Sequence, residues 1–121
     1  MAAKKDKERE DRIVMEVVVD AHDSEERATG WFCYLEDSIS PFTATCTAKR
    51  AISPLKKGDL VEVSGMAPES ECRREMFVMI RWEKDGLAVP LSQLKPSDDA
   101  EDSTRQAVED WLYWMKQGYE F

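Results

Sequence analysis

The spacing of apolar residues predicts a helix that begins near residue 24. Its apolar positions repeat at i, i+3, i+4 and i+7, which is one helical face, and they are Ala28, Trp31, Phe32 and Leu35. Asp23 or Ser24 can cap the first turn, because a short polar side chain accepts a hydrogen bond from a free backbone N–H there. Gly30 within the helix indicates close packing against a neighbour. We expect the helix to end near Glu36 or Asp37, since two serines and a proline follow.

Beyond residue 41 the period changes to that of β-strands. Four segments alternate between apolar and polar residues, as half-buried strands do, and they read FTATCTAKR, DLVEVSGM, EMFVMIRWE and LAVPL. The pair Asp85-Gly86 before the last segment is typical of a tight hairpin, and Pro90 is expected at a sheet edge or a strand end. Residues 13–21 fit a strand or a helical face, and three consecutive valines favour the strand. Five strands then suit a small, strongly bent antiparallel barrel of the SH3-like kind.

The C-terminal part of the chain returns to the helical period. Acidic residues crowd its start, where they face the positive end of a helix dipole, and they are Asp98, Asp99, Glu101 and Asp102. The apolar stripe that follows consists of Val108, Trp111, Leu112 and Met115. Gly118 is placed to end this helix, and we expect Tyr119 and Phe121 to fold back onto the core. The predicted fold class is therefore α+β, a small SH3-like antiparallel β-barrel with one helix before it and one C-terminal helix packed on it.

Charge separates the first residues from the remainder of the chain. Residues 1–12 carry nine charges of mixed sign and nothing that can form a core, so we expect a charged flexible tail over 1–12 and a single domain over 13–121. The 121 residues include 17 Lys and Arg against 25 Asp and Glu, a net charge of −8. The tail sums to +1, which leaves −9 on the domain. This acidity disfavours nucleic acid as a partner, because binding it requires a basic surface.

Nothing in the sequence indicates export or a membrane. The N-terminus, MAAKKDKEREDR, lacks the apolar region of a secretory signal, and no apolar stretch approaches the ~20 residues that span a bilayer. Cys33, Cys46 and Cys72 are odd in number and widely spaced, which fits a reducing compartment. We therefore expect a cytoplasmic protein with no membrane partner.

The sequence gives little support for catalysis or for a transition-metal site. His22 is the only histidine, and the three cysteines are too far apart in sequence for a zinc knuckle. The chain has no GxSxG motif and no glycine-rich phosphate loop. Carboxylates are plentiful, but no sequence feature desolvates one of them for acid–base work. We expect no enzymatic activity.

A hard cation suits the sequence better, because Ca²⁺ is bound by six to eight oxygens from carboxylates, carbonyls and hydroxyls. The segment Glu36-Asp37-Ser38-Ile39-Ser40 lies at the end of the first predicted helix. The last carbonyls of a helix are unpaired and partly negative, so they can join carboxylates and hydroxyls around a cation. On residue types alone, a solvated helix end with no metal explains the segment better.

Two other acidic segments offer oxygen ligands. In an EF-hand alignment that begins at Asp98, Asp102 and Glu109 fall on ligand positions, but Ala100 occupies the third position and Ser103 replaces the required glycine. An acidic helix start explains that segment better. The third group precedes the first helix, where the positive dipole disfavours a cation, and it consists of Asp20, His22, Asp23, Glu25 and Glu26.

A different function class is also compatible with the predicted barrel. SH3-like domains bind peptides through aromatic side chains between loops, and Trp82 or Phe77 could serve in this way. Aromatic residues in so small a chain are more often part of the core. A peptide-binding or scaffold module with no metal is therefore the alternative to a cation-binding protein.

Several stretches together resemble one family. These are VVVDAHDSEERATGWFCYLEDSISPFTA, SPLKKGDLVEVSGMA, MFVMIRW, LAVPLSQL and the ending EDWLYWMKQGYEF. In the same order, over residues 13–121, they resemble the CcbP-type calcium-binding proteins of cyanobacteria. The combination of GW-x-x-YLED with the terminal DW-x-YW-x-x-x-GYEF is its most specific part.

The resemblance implies an acidic protein that binds Ca²⁺ without an EF-hand and acts in intracellular calcium buffering or signalling. It points first to Asp37 as a ligand, with Glu36 beside it, and position adds Ser38 and Ser40. Asp110, in the terminal motif, is expected to contact the first helix. So few carboxylates at one place predict an affinity on the order of micromolar or weaker, with Mg²⁺ excluded by geometry.

Overall fold

The computed structural model describes residues 6–18, 23–82 and 86–117. Its helices are α1 (Lys7–Arg12), α2 (Ser24–Ser38) and α3 (Asp102–Lys116), and a π-helical turn, Ile13–Val17, continues from α1. Its strands are β1 (Phe42–Cys46), β2 (Leu60–Met66), β3 (Phe77–Ile80), β4 (Leu87–Pro90) and β5 (Leu94–Pro96). Short 3₁₀ turns cover Glu69–Glu71 and Leu91–Gln93. No helix within these ranges is both long and apolar enough to cross a membrane.

The five strands form one antiparallel sheet of order β4-β3-β2-β1-β5. Alternate side chains of β1 enter the core, and Ala44 lies opposite Val61 on one side and Pro96 on the other. The predicted α+β class is confirmed, with strands at all four segments that alternate in sequence. The sheet has two edge strands, β4 and β5, and is not closed, so the predicted barrel is not confirmed. Pro90 ends the edge strand β4, as predicted.

The strand predicted over residues 13–21 is wrong for its described part. Ile13–Val17 is a π-helical turn, and Ile13 and Val17 are both buried. These two residues lie on the helical face that the same sequence also fits, and burial of that face outweighs the weak β preference of the valines. Residues 19–21 lie outside the described part of the chain. The fifth strand is instead β5, which is three residues long.

The charged N-terminal segment has regular structure from residue 7. Asp6 caps α1, because its side chain accepts a hydrogen bond from the Arg9 N–H at 3.1 Å. The backbone N–H of Asp6 donates to the Tyr113 hydroxyl at 2.9 Å, which connects the start of α1 to α3. Residues 7–12 of the segment predicted to be a flexible tail are thus helical, while the division of the chain at residue 13 stays a prediction.

Helices α2 and α3 pack against each other in antiparallel directions. On α2 the buried residues are Ala28, Trp31 and Leu35, as predicted, and Phe32 is half-buried. The indole of Trp31 meets Trp111 at a ring-centroid distance of 5.1 Å and Trp114 at 5.5 Å.

The buried face of α3 is rotated from the one predicted. It includes Val108 and Trp111 as expected, but Trp114 takes the place of Met115, which is 37% exposed. Thr104, Ala107 and Asp110 are buried as well. The residues predicted to end this helix and to fold back on the core, Gly118, Tyr119 and Phe121, lie outside the described residues.

Gly30 allows the π-helical turn to approach α2. A Cβ atom at Gly30 would lie 2.2 Å from the carbonyl oxygen of Val17, a distance that no side chain can adopt. Only glycine permits this contact without a backbone shift. The close packing predicted at Gly30 is confirmed, and it fixes the N-terminal segment against α2.

Candidate metal centre

The end of α2 and the start of α3 meet through three hydrogen bonds. The Ser40 N–H donates to the Thr104 hydroxyl at 3.0 Å, and that hydroxyl donates to the Ser38 carbonyl at 3.3 Å. The Ser40 hydroxyl donates to Oε2 of Glu101 at 3.1 Å. A carbonyl, two hydroxyls and a carboxylate from two helices therefore converge at one place.

The local sequence explains why α2 ends at this point. Helix α2 ends at Ser38, and Ile39 adopts an extended conformation while its N–H still donates to the Leu35 carbonyl at 2.9 Å. Pro41 favours extended backbone just before it, which ends the helix. The Ser38 carbonyl is then left without an intrahelical partner, and Thr104 supplies one. Glu101 occupies the N-cap position of α3 without a side-chain capping bond, so its carboxylate is available to Ser40.

Glu36 and Asp37 lie on the last turn of α2 and are exposed. Within the described residues neither forms a hydrogen bond or an ion pair. Their negative charge affects the neighbouring Cys33. Partial burial raises the pKa of the Cys33 thiol, and the charges of Glu69, Asp37 and Glu36 raise it further. The exposed face of α2 near its end is therefore negative.

The structure brings together two of the four predicted ligands and leaves two apart. Ser38 and Ser40 are half-buried and belong to the hydrogen-bonded junction, whereas Asp37 and Glu36 are exposed and take no part in it. The described residues contain no group of three or more His, Cys, Asp or Glu side chains that could hold a metal ion. The atoms at the junction that could bind a metal ion are all oxygens, which fits Ca²⁺ rather than Zn²⁺ or copper. They fit an ion held by carbonyls, hydroxyls and few carboxylates.

The two other acidic segments behave as helix starts. Helix α3 begins at Asp102, so the second half of the EF-hand alignment from Asp98 is helical and cannot form a calcium loop. Asp102 itself forms an ion pair with Arg105. Asp23 caps α2 by accepting a hydrogen bond from the Glu26 N–H at 2.8 Å, while Asp20 and His22 lie outside the described residues.

Asp110 is fully buried and is bound by three side chains. Arg12 donates from Nε to Oδ2 at 3.0 Å and from Nη2 to Oδ1 at 2.6 Å, and the Tyr34 hydroxyl donates to Oδ2 at 2.7 Å. Arg9 lies 3.5 Å from Oδ1. Burial raises the pKa of Tyr34, and its hydrogen bond to Asp110 raises it further. The predicted contact of Asp110 with the first helix is confirmed through Tyr34, and the carboxylate is occupied by these donors.

The sequence did not indicate that Glu101 and Thr104 belong with Ser38 and Ser40. The acidic start of α3 was visible, but its position relative to α2 depends on how the two helices pair. The one available signal was that both helices carry tryptophans on their apolar faces. That signal indicates contact between the helices and does not give their direction.

These features define an acidic α+β domain in which two antiparallel helices bring together a carbonyl, two hydroxyls and a carboxylate. The chain belongs to the CcbP family of calcium-binding proteins, since a family model described as calcium binding matches residues 11–115. This assignment confirms the resemblance seen in the sequence and supports Ca²⁺ as the bound ion.

Two solved structures are similar to the whole chain. The crystal structure of Anabaena CcbP has 40% identity and a TM-score of 0.86, with 100% of both chains covered. A calcium-binding protein in the calcium-binding form has 39% identity, the same TM-score of 0.86 and the same full coverage. No protein in the curated set matches the chain.

Proposed function

We propose that this protein is an intracellular calcium buffer or signalling regulator. The ion is held around residues 36–40 by the carboxylates of Asp37 and Glu36, the Ser38 carbonyl and the Ser40 hydroxyl. Glu101 contributes a further carboxylate from α3. This proposal joins the helix end indicated by the sequence to the acidic start of α3, which the sequence had suggested only as a separate site.

The observation that carries the proposal is the hydrogen bond from the Ser40 hydroxyl to Glu101, 3.1 Å long. It brings a carboxylate of α3 to the C-terminal end of α2, where the helix dipole places partial negative charge. Helix carbonyls and an exposed carboxylate are hard oxygen ligands of the kind Ca²⁺ prefers. The family described as calcium binding provides the second, independent support.

Each residue has a distinct part in this site. The Ser38 carbonyl and the Ser40 hydroxyl are fixed by Thr104 and Glu101, so these two oxygen atoms are already in place to bind an ion. Asp37 and Glu36 are exposed and free to reorient, so they supply charge at low structural cost. When bound, Ca²⁺ neutralises this negative charge and cross-links the two helices.

The expected affinity follows from the number of carboxylates. Three acidic side chains on flexible positions form a weaker site than a rigid cage does, which gives a dissociation constant on the order of micromolar or above. Such an affinity fits a buffer or regulator that responds to changes in calcium in the cytoplasm. Mg²⁺ requires a small, near-ideal octahedron, so the site discriminates against it.

The test is a calcium titration by calorimetry in excess Mg²⁺. We compare the wild type with Asp37→Asn and Glu101→Gln, and we use Asp99→Asn as a control that removes one exposed acid from the turn before α3. We expect saturable heat in the wild type and in the control, and loss of the heat in Asp37→Asn. Equal heat in all four proteins moves the site away from this junction, and absence of heat in the wild type contradicts calcium binding.

We also propose that the protein binds an ion and has no enzymatic activity. A reactive cysteine needs a lowered pKa, whereas burial raises the pKa of Cys72 and partial burial raises that of Cys33. The peptide-binding or scaffold alternative is supported by Trp82, which is 37% exposed at the end of β3. Asp37→Asn separates the two functions, because a peptide binder retains its activity in that variant.

The sheet order supports the SH3-like description as part of this proposal. Strands β1 to β4 follow one another as a meander, and β5 returns to pair with the free side of β1. A 3₁₀ turn, Leu91–Gln93, separates β4 from β5. Pairing of the edge strands β4 and β5 would close this sheet into a small barrel.

A further inference from the structure

The Asp110 carboxylate connects all three helices. Its hydrogen-bond donors are Arg12 from the end of α1 and Tyr34 from α2, and Asp110 itself lies on α3. The carboxylate side chain is 0% exposed, while Arg12 is 25% exposed. A buried carboxylate requires partners, because leaving it unpaired costs far more than its hydrogen bonds gain. The relative positions of α1, α2 and α3 are therefore coupled at this one group.

A second contact holds the same N-terminal segment in place. The Val17 carbonyl lies so close to Gly30 that a Cβ atom there would be only 2.2 Å away. Ile13 and Val17 are buried in the core between these two contacts. The segment from Arg12 to Val17 is thus attached to α3 at one end and to α2 at the other.

The Asp110 cluster lies on the same two helices as the candidate calcium site. Tyr34 precedes Ser38 by four residues, and Asp110 follows Thr104 by six. These separations are about 6 Å and about 9 Å along the helix axes. Because α2 and α3 are antiparallel and rigid over such distances, a change in their spacing at Asp110 changes the spacing of Ser40 and Glu101.

We propose that Arg12, Tyr34 and Asp110 act as positioning residues for the calcium site. This inference rests on the proposed function. The cluster fixes the distance and angle between α2 and α3, and thereby the separation of the Ser38 and Ser40 ligands from Glu101. Residues in the N-terminal segment then set calcium affinity although they do not contact the ion.

The cluster can fix the helix positions because few arrangements of its side chains satisfy the buried negative charge of Asp110. A two-pronged Arg12–carboxylate contact is directional, and the Tyr34 hydroxyl must reach the same oxygen, Oδ2, that accepts from Nε of Arg12. A shift of α2 along α3 breaks one of these bonds. The half-buried junction at Ser40 is held by single hydrogen bonds to Thr104 and Glu101 and contains no paired charge, so its geometry follows that of the buried cluster.

The test measures calcium affinity and stability in parallel for Arg12→Gln and Tyr34→Phe. The matched control is Arg50→Gln, because Arg50 forms an ion pair with Glu75 at 2.8 Å between residues outside α2 and α3. Calorimetry gives the dissociation constant, and thermal unfolding gives the stability. Tyr34→Phe retains the ring next to Trp31, with ring centroids 6.0 Å apart, and removes only the hydroxyl.

We expect Arg12→Gln and Tyr34→Phe to bind calcium about three- to tenfold more weakly while still folded, which is the usual range for a residue that acts through its neighbours. Arg50→Gln lowers the melting temperature and keeps the wild-type dissociation constant. Near-ultraviolet circular dichroism of the tryptophans between α2 and α3 changes in the first two variants only.

Three results overturn the inference. An unchanged dissociation constant in Tyr34→Phe, with a lowered melting temperature, assigns the cluster a purely structural role. Equal weakening in Arg50→Gln shows that affinity follows general stability. Absence of calcium heat in the wild type overturns the proposed function and this inference with it, whereas the first two results leave the proposed function intact. Tyr34→Phe decides the matter if Arg12→Gln does not fold.

Discussion

Helices α2 and α3 share two polar contacts of opposite character. At Asp110 a carboxylate is fully buried and receives hydrogen bonds from Arg12 and Tyr34. At Glu101 a carboxylate is exposed and receives one bond from the Ser40 hydroxyl. The buried acid is already neutralised by a guanidinium and serves the fold. The exposed acid has only a hydroxyl as its partner and stays open to solvent.

The comparison shows how burial divides similar residues between structure and function. Removing one member of a buried ion pair leaves the other charge uncompensated, so such a pair resists change. An exposed hydrogen bond to a hydroxyl contributes little net stability, so its loss on ion binding is inexpensive. The two contacts lie at different heights along the same pair of helices. Variants at each contact can therefore be compared directly for their effects on stability and on calcium binding.

The largest expected effect is that of Asp110→Ala. It leaves Arg12 and the Tyr34 hydroxyl without their acceptor, and we expect a loss of about 3 kcal/mol in the free energy of unfolding, the low end for a buried pair because Arg12 is partly exposed. Urea denaturation measures this. Glu101→Ala is the control and should cost less than about 1 kcal/mol. Similar losses in the two variants would remove the distinction between the contacts.

Calcium should stabilise the protein through the exposed contact. At a free concentration about 100 times the dissociation constant, binding adds about 2.7 kcal/mol to the free energy of unfolding. Thermal unfolding with and without Ca²⁺ measures the gain, and Asp37→Asn should abolish it. A melting temperature that does not respond to calcium in the wild type would contradict the site at this junction.

Gly30→Ala tests how tightly the N-terminal segment is held to the helix pair. The added methyl group meets the Val17 carbonyl at 2.2 Å, so the backbone must move, at a cost of about 1–3 kcal/mol. The higher helix propensity of alanine returns up to about 1 kcal/mol. We expect a net loss of about 1–2 kcal/mol in urea denaturation. A more stable variant would show that the segment is loosely attached.

The smallest expected effect is a pH dependence from Tyr34. Burial and the bond to Asp110 raise the pKa of Tyr34 above the usual tyrosine value of about 10, so the folded protein holds this proton more tightly than the unfolded chain does. Stability is then fully present below pH 10 and falls as the pH rises above it, by up to about 1.4 kcal/mol per pH unit. Tyr34→Phe lacks this contribution, and the difference between the two unfolding curves at pH 9 and pH 11 isolates it. Parallel curves would place the hydroxyl in water.

Local signals in the sequence predicted much of the fold. The cap at Asp23, the apolar face of α2 and the alternating segments of β1 to β4 depend on neighbours in sequence, and the structure contains them. β5 is too short to show alternation. Ile13–Val17 fits both periods, and packing of its helical face on Gly30 decided between them. On α3, the buried face includes Trp114 and leaves its neighbour Met115 half-exposed, because the contact with α2 lies to one side of the apolar stripe read from the sequence.

The site was predictable in part. The end of α2 and its oxygen donors were visible at Ser38 and Ser40, because helix termination depends on local residues. Glu101, more than 60 residues away in sequence, joins them only through the antiparallel pairing of α2 and α3. A second long-range contact, that of α1 with α3, brings Arg12 to Asp110. No local pattern encodes such pairings, which are set by packing of the whole domain.

The open sheet has two edges through which other chains could add strands, and both are protected. The edge strands β4 and β5 are four and three residues long, and each ends in a proline, Pro90 and Pro96. Short strands, and proline with its missing N–H, make poor templates for intermolecular pairing. Lys95 adds an exposed charge to β5. These edges therefore oppose aggregation when the protein is present at high concentration.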